Sequence, residues 1–306
     1  MNVMILAAGF GQRLMPYTKR LPKPLFPVLD RTLLDLAIET AKGANPARIV
    51  VNAHHLGGQI KDYVAAREYG VEVIVSVEEE ILGTAGGIRR AWAWLEGGEV
   101  AVINADTVAE VDWGRLAEFH RRSGALATLL LRDNPDPKRY GVLGVDAAGK
   151  VTRFLKAAGP GADKNSPPLM FTGISILSRA FVERIPEGRP VDIAGEIYEP
   201  MVQAGEPVYG QVTQGRWIDA GTPADYLELV MKSLENVPWA EPPPGVTVIP
   251  PVHIAPGATI CAGAALGPYV SVGEGAVVGA GARLTRCVAL PGARAPDAAV
   301  LDGAII

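Results

Sequence analysis

The chain has 306 residues, enough for one large domain or two modest ones, and 29 basic against 33 acidic side chains give a formal charge of −4. That balance excludes a broadly basic nucleic-acid coat but leaves room for a local cationic pocket. A hydrophobic fraction of 48% with 20% charged residues excludes a disordered chain, and two cysteines, Cys261 and Cys287, exclude a disulfide scaffold. They point to a reducing, cytoplasmic compartment. The 35 glycines and 25 prolines are above ordinary usage, so part of the chain must be rich in both.

Short apolar runs alternate with helical patterns over residues 1–236. Val3–Leu6, Arg48–Val51, Glu72–Ser76, Val100–Asn104 and Ala127–Leu131 read as buried strands. Thr32–Lys42, Leu56–Tyr69, Thr84–Leu95 and Asp112–Arg122 read as the helices between them. Such alternation predicts an α/β fold: a Rossmann-like, mainly parallel sheet with helices on both faces. Ligands of these sheets bind beyond the strands' carboxyl ends, which puts the loops after Leu6, Ser76 and Asn104 on one functional edge. Strands are further predicted at Val142–Val145, Val151–Leu155 and Phe171–Leu177, and a helix near Ala194–Ala204. A last helix, Pro223–Asn236, has Thr222 as its N-cap.

Residues 237–245 (VPWAEPPPG) form a proline-rich linker and the predicted boundary between a domain at 1–236 and a second at 246–306. Beyond it, Val248, Ile254, Ile260, Leu266, Val272, Val278, Leu284 and Leu290 recur every six residues. Val252, Ala258, Ala264, Val270, Ala276, Ala282 and Val288 follow the first seven by four. No helix or simple strand has that period. It fits hexapeptide repeats of a short parallel β-helix, with aliphatics stacked inward and glycine at the corners. About three coils leave open ends, so the stack is expected to pack on the first domain or on a second copy of the chain, making a homo-oligomer. His253–Gly273 is uncharged, but its prolines and glycines exclude a membrane span. Met1–Ala8 lacks the basic flank and length of a secretory signal.

The most informative stretch is Leu6-Ala7-Ala8-Gly9-Phe10-Gly11-Gln12-Arg13-Leu14, followed by Pro22-Lys23-Pro24-Leu25. A strand runs into a Gly-x-Gly loop, where small residues let backbone N–H groups approach phosphate oxygens. Leu14 replaces the third glycine of a dinucleotide fingerprint, and no GK[ST] of a Walker A loop occurs. Arg13, Lys19, Arg20 and Lys23 instead gather four cations beside the loop. A plain glycine turn with solvated charges would read the same from the loop alone.

The string LAAGFGQRLMPYTKRLPKPLFPV resembles the signature of sugar-1-phosphate nucleotidylyltransferases. The likeness extends through Val51–Leu56, Glu78–Gly87, Asn104-Ala105-Asp106 and Trp217–Thr222, roughly residues 1–236, and members of this family often carry a C-terminal left-handed β-helix. The resemblance implies transfer of a nucleoside monophosphate from an NTP to a sugar 1-phosphate, with release of pyrophosphate. It implies that Leu6, Ala8, Gly9, Gly11, Arg13, Lys23, Glu78, Gly83 and Thr84 bind the nucleotide. Arg13, Lys23, Asp106 and Asp219 would be catalytic, with both aspartates holding Mg²⁺. Tyr140, Gly141, Thr172 and Gly173 would line the sugar.

Glu78 is expected at a base-reading position. A carboxylate accepts hydrogen bonds, and guanine offers two adjacent donors where uracil offers one, so GTP is favoured. The string EEEILGTAGG is similar to mannose-1-phosphate guanylyltransferases, which favours mannose 1-phosphate as acceptor. The family's Glu-Lys-Pro element, whose Lys holds the sugar phosphate, is replaced by Lys156-Ala157-Ala158; Lys156 or Lys164 is a candidate substitute. That departure keeps open a UTP-dependent N-acetylmuramate-1-phosphate or other hexose-1-phosphate uridylyltransferase. It also keeps open an inactive regulatory subunit that binds NDP-sugar. A hexapeptide acyltransferase is disfavoured, because the tail is short and holds one histidine, His253. His54, His55 and His120 show no ligand spacing.

Overall fold

The computed structural model describes residues 1–95, 97–163, 165–237 and 243–306. Most of the predicted linker, and Lys164, lie outside them. Contacts divide the chain into two compact units: Met1–Phe10 with Leu36–Trp217, and Gly11–Asp35 with Ile218–Ile306.

The first unit is built on a ten-stranded sheet. Four parallel strands stand in the order Glu72–Val77, Arg48–Ala53, Asn2–Leu6, Glu99–Asn104. The β-branched runs of Asn2–Leu6, Arg48–Ala53 and Glu99–Asn104 are buried on both faces, as a parallel sheet covered by helices requires, while the edge strand Glu72–Val77 is only partly buried. Next comes the long strand Leu169–Ser178, antiparallel to Glu99–Asn104. It also pairs antiparallel with Ala127–Asp133, which runs parallel to Val208–Val212, a strand the sequence pattern did not reveal. Through Leu169 it meets Leu143–Val145, which leads to Val151–Phe154 and Ala157–Ala158. The sheet is therefore Rossmann-like and parallel on one side and mixed on the other.

Three helices between the parallel strands keep their predicted places at Leu33–Lys42, Gly83–Leu95 and Trp113–Ser123, the last capped by Asp112, which accepts from the Arg115 N–H at 2.9 Å. The helix predicted over Leu56–Tyr69 is shorter, Gly57–Ala65. Arg67 and Glu68 offer no apolar stripe to bury, so nothing extends the helix past Ala66. The helix expected near Ala194–Ala204 begins with a π turn, Ile193–Tyr198, before the α-helix Glu199–Gln203. Pro200 lacks the N–H that a regular α-helix would use there.

The second unit carries the repeats. Three parallel sheets stack as a left-handed β-helix: Thr247–Val248, Ala265–Leu266, Arg283–Thr285 and Val300–Asp302 in one, Val252–Ile254, Val270–Val272 and Val288–Ala289 in the next, and Thr259–Ile260, Val277–Val278 and Arg294–Ala295 in the third. The core takes Val252 and Ile254, Ala264 and Leu266, Val270 and Val272, Ala276 and Val278, Ala282 and Leu284, as the six-residue period predicts. After Leu284 the period slips. Cys287 and Ala289 fill the next core positions, not Val288 and Leu290. The register shows why: Ala265 pairs with Arg283, a step of 18 residues, but Arg283 pairs with Val300, a step of 17. One residue is missing from the corner at Arg286, whose φ is +51°.

Residues 11–35 pack with this tail. The hairpin Pro27–Val28 with Arg31–Thr32 lies against the helix Pro223–Leu234, where the Phe26 and Tyr226 rings stand 5.3 Å apart and the Tyr226 hydroxyl donates to the Pro27 carbonyl at 2.6 Å. Asp30, in the hairpin turn, meets His253 Nε2 at 2.8 Å. Thr222 caps that helix in a reciprocal pair with Asp225.

Candidate active site

The register of the parallel strands puts Ser76, Asn52, Leu6 and Asn104 side by side at their carboxyl ends. The loops after Leu6, Ser76 and Asn104 leave from that row, as expected. The Leu6 carbonyl accepts from the Ala105 N–H at 3.0 Å, which fixes the turn that presents the half-exposed Asp106. Gly9 is exposed, and a Cβ there would meet nothing within 4 Å. Nothing in the protein's own packing requires glycine at that point. Phe10 is 42% exposed and packs edge-on against His54, with centroids 5.4 Å apart. His54 Nδ1 lies 2.9 Å from the Glu78 carbonyl oxygen, so this histidine shapes the loop. His120 is buried against the Thr128 hydroxyl at 2.8 Å, and burial pushes its pKa down.

Glu78 directly follows the strand Glu72–Val77. Expected to read a nucleobase, it is 2% exposed and turned inward. Its Oε1 accepts from Asn52 Nδ2 at 2.8 Å and its Oε2 from the Leu82 N–H at 3.0 Å. Asn52 Oδ1 in turn accepts from the Ala7 N–H at 2.8 Å. One buried chain of hydrogen bonds thus ties together the loops after three adjacent strands. A Cβ on Gly87 would come within 2.6 Å of Asn52 Nδ2 and 2.8 Å of Glu78 Oε1, so glycine there makes room for the network. Asn52 was not among the expected site residues, although it lies in Val51–Leu56, one of the stretches that carry the family likeness.

The turn at Gly83 and Thr84 is held from another part of the chain. Gly83 has φ +71°, and a Cβ would stand 2.6 Å from the Val191 carbonyl oxygen. Val191 N–H donates to the Leu82 carbonyl at 2.8 Å, and Ala85 N–H donates to the Val191 carbonyl at 3.0 Å. Thr84 Oγ1 accepts from the Ile193 N–H at 2.8 Å. Glycine at 83 is therefore required by close packing and by a left-handed backbone.

In the second unit, Gly11 has φ +61°, and a Cβ would lie 2.8 Å from Thr18 Cγ2 and 3.3 Å from Lys23 Cβ. Thr18 is fully buried and donates to the Gly11 carbonyl at 3.2 Å. This packing forms the bend that carries Arg13. Of the four cations near the loop, Arg13, Lys19 and Arg20 are exposed, whereas Lys23 is 9% exposed. Asp219, half-buried, and Arg13 meet at Gly221: the space a Cβ would take there is 2.6 Å from Asp219 Oδ2 and 2.8 Å from Arg13 Nη1. Sequence positions more than two hundred apart thus share one corner.

In the first unit, Tyr140 ends the short helix Pro137–Tyr140, and its ring meets that of Trp217 edge-on at 5.5 Å. Gly141 has φ +71° and packs under Leu155, with its carbonyl held by Asn134 Nδ2. Thr172, expected to line the sugar, is 1% exposed, and its hydroxyl donates to the Leu130 carbonyl at 2.8 Å. Its own carbonyl accepts from Trp217 Nε1 at 2.9 Å. Gly173, at φ +84° in the bulge of the long strand, fits against Asn104. Lys156 is exposed in the turn after Phe154, while Ala157 is fully buried.

Residues 2–236 match the family described as nucleotidyl transferase, and residues 248–306 match the GMPPB C-terminal domain. The chain belongs to the nucleotidyl transferase family. Its whole length aligns with 85% of a mannose-1-phosphate guanyltransferase of Schizosaccharomyces pombe at 34% identity. It aligns likewise with 86% of a mannose-1-phosphate guanylyltransferase 1 of Arabidopsis thaliana at 30% identity. A UTP–glucose-1-phosphate uridylyltransferase of Synechocystis is 28% identical over 83% of this chain and 68% of its own length. Among solved structures, HddC from Yersinia pseudotuberculosis superposes with a TM-score of 0.64 at 25% identity, covering 76% of this chain and 98% of that one. Among the described residues no helix is long and apolar enough to cross a membrane.

No group of three or more histidine, cysteine or acidic side chains that could hold a metal occurs among the described residues.

Proposed function

We propose that this enzyme transfers a nucleoside monophosphate from an NTP, GTP before others, to a sugar 1-phosphate, mannose 1-phosphate before others. The observation that carries the reading is the full-length likeness to mannose-1-phosphate guanylyltransferases, which includes the β-helical tail. Glu78 adds nothing to the preference for GTP, because both of its carboxylate oxygens are engaged inside the protein.

In the reaction, a phosphate oxygen of the sugar 1-phosphate forms a bond to the α-phosphorus. The bond from that phosphorus to the bridging β-oxygen breaks, and pyrophosphate leaves with the electron pair. Such a transfer needs positioning and charge neutralisation more than covalent chemistry. Leu6, Ala8, Gly9 and Gly11 offer backbone to the triphosphate, with Gly83 and Thr84 beside the base. Arg13 and Lys23 set positive charge against it, and the low exposure of Lys23 strengthens its field. Nucleotidyl transferases generally use a divalent metal. Asp106 and Asp219 would hold it as Mg²⁺, which supplies further neutralisation of the phosphates. Tyr140, Gly141 and the backbone of Thr172 and Gly173 border the sugar.

The domain division we assign is 1–236 catalytic, 237–245 linker and 246–306 β-helix, with the β-helix as the surface for homo-oligomer formation and the cytoplasm as the compartment. The Synechocystis relative favours a second reading, UTP with a hexose 1-phosphate. Pyrophosphate release measured across four NTPs and a panel of sugar 1-phosphates decides between them. Turnover above background for GTP with mannose 1-phosphate, exceeding every UTP pair, is the expected result. A preference for UTP selects the second reading, and no release from any pair leaves an inactive NDP-sugar-binding subunit.

A further inference from the structure

We propose that Arg132 is the cation that receives the phosphate of the acceptor sugar 1-phosphate. The proposal rests on the functional reading above and names a residue which neither the sequence motifs nor the comparisons point to. Arg132 sits near the end of the strand Ala127–Asp133, opposite Met170 of the long central strand. Its Nε is buried and has no hydrogen-bond partner among the described residues. No ion pair joins its guanidinium to a carboxylate among them either. Its neighbour is aromatic instead: the guanidinium carbon lies 5.5 Å from the centroid of the Trp217 ring. That ring is fixed by its own N–H, which donates to the Thr172 carbonyl at 2.9 Å, and by the edge of Tyr140 at 5.5 Å.

A guanidinium always carries its charge and has five donors in a fixed fork. Leaving a donor buried and unmatched is unfavourable. An aromatic face offsets part of this but satisfies no N–H. What completes the group is an oxyanion, and phosphate matches the fork two oxygens at a time.

Position decides whose phosphate it is. From Ser76 to Arg132 the strand order makes five steps, at about 4.8 Å each roughly 24 Å across the sheet. Arg132 therefore lies far from the turn at Gly83 and Thr84 and beside the Tyr140–Gly141 and Thr172–Gly173 segments. The nearby turn at Lys156 puts its ammonium in solvent and follows it with the methyl groups of Ala157 and Ala158, so it offers no enclosed cation.

The test is steady-state kinetics with GTP and mannose 1-phosphate, or with whichever pair the panel selects, for wild type, Arg132→Met and Arg132→Lys. The charge-free variant is expected to raise the KM for sugar 1-phosphate about tenfold or more, with the KM for NTP changed less than about twofold; Arg132→Lys should recover part of the loss. If Arg132→Met does not fold, Arg132→Gln takes its place. Unchanged KM for sugar 1-phosphate overturns the assignment, as does an equal rise for both substrates or a rise for NTP alone. Wild-type protein that releases no pyrophosphate from any pair removes the functional reading and this assignment with it. Activity with an unaffected Arg132 variant removes the assignment only.

Discussion

The loops expected to hold the nucleotide and those expected to hold the sugar are built by different means. In the loops expected to hold the nucleotide, Gly83, Gly87 and Gly11 each have a packing reason, whereas Gly9 has none. Gly83 lets the Val191 carbonyl approach, Gly87 makes room for the Asn52–Glu78 pair, and Gly11 turns over Thr18. In the loops expected to hold the sugar, the informative groups are Arg132 and Tyr140 from one stretch and Trp217 from a second, distant one. The first kind of site is written in consecutive residues and so keeps a recognisable string. The second keeps strings at Tyr140-Gly141 and Trp217–Thr222, but Arg132 joins it through a contact across the fold that no string records.

Four experiments would break or sharpen that contrast. The largest effect is expected for Asp106→Asn and for Lys23→Ala. Each should lower turnover by about a thousandfold in protein that circular dichroism shows to be folded. A folded Asp106→Asn protein with near-normal rates would remove the metal assignment. Gly83→Ala comes next. It places a methyl against the Val191 carbonyl at a positive φ and should cost roughly 2–3 kcal/mol in denaturant unfolding, because strain and overpacking add. Wild-type stability there would mean that the turn is free to move.

Glu78→Ala should cost about 2 kcal/mol by stranding Asn52 Nδ2 and the Leu82 N–H, while the ratio of GTP to UTP turnover stays the same. A shift in that ratio would restore Glu78 as a reader of the base. The smallest effect is expected for Thr172→Val, about 1 kcal/mol from the lost hydroxyl bond to Leu130, with no change in the KM for sugar 1-phosphate. A rise in that KM would show that the hydroxyl does reach the substrate.

Much of the fold was legible in the chain. Val3–Leu6 and Arg48–Val51 extend by a residue or two into Asn2–Leu6 and Arg48–Ala53, and the loops after Leu6, Ser76 and Asn104 leave from one row. Val208–Val212 was not legible, because its Tyr-Gly-Gln centre breaks the apolar pattern and only pairing with Ala127–Asp133 makes it a strand. In the tail, the repeat could be read as far as Leu284. Beyond it, Val288 and Leu290 kept the six-residue count while the backbone did not, since one missing corner residue moves every later side chain.

At the site, the residue types were readable but their directions were not. A carboxylate after a strand has the same letter whether it faces a base or, like Glu78, an asparagine in the interior. A threonine before a glycine does not say which way its hydroxyl turns.

Sequence alone determined the alternation of strands and helices, the hexapeptide stack and the glycine-and-cation loop, because each is a periodicity or a string of neighbours along the chain. Tertiary structure decided that residues 11–35 pack with the tail, that Glu78 is an internal strut and that Arg132 stands beside Trp217 with an unmatched donor. Hydrogen bonds and ring contacts act over a few ångströms of space, and the folding of the sheet brings within that range residues separated by tens or hundreds of positions in the chain.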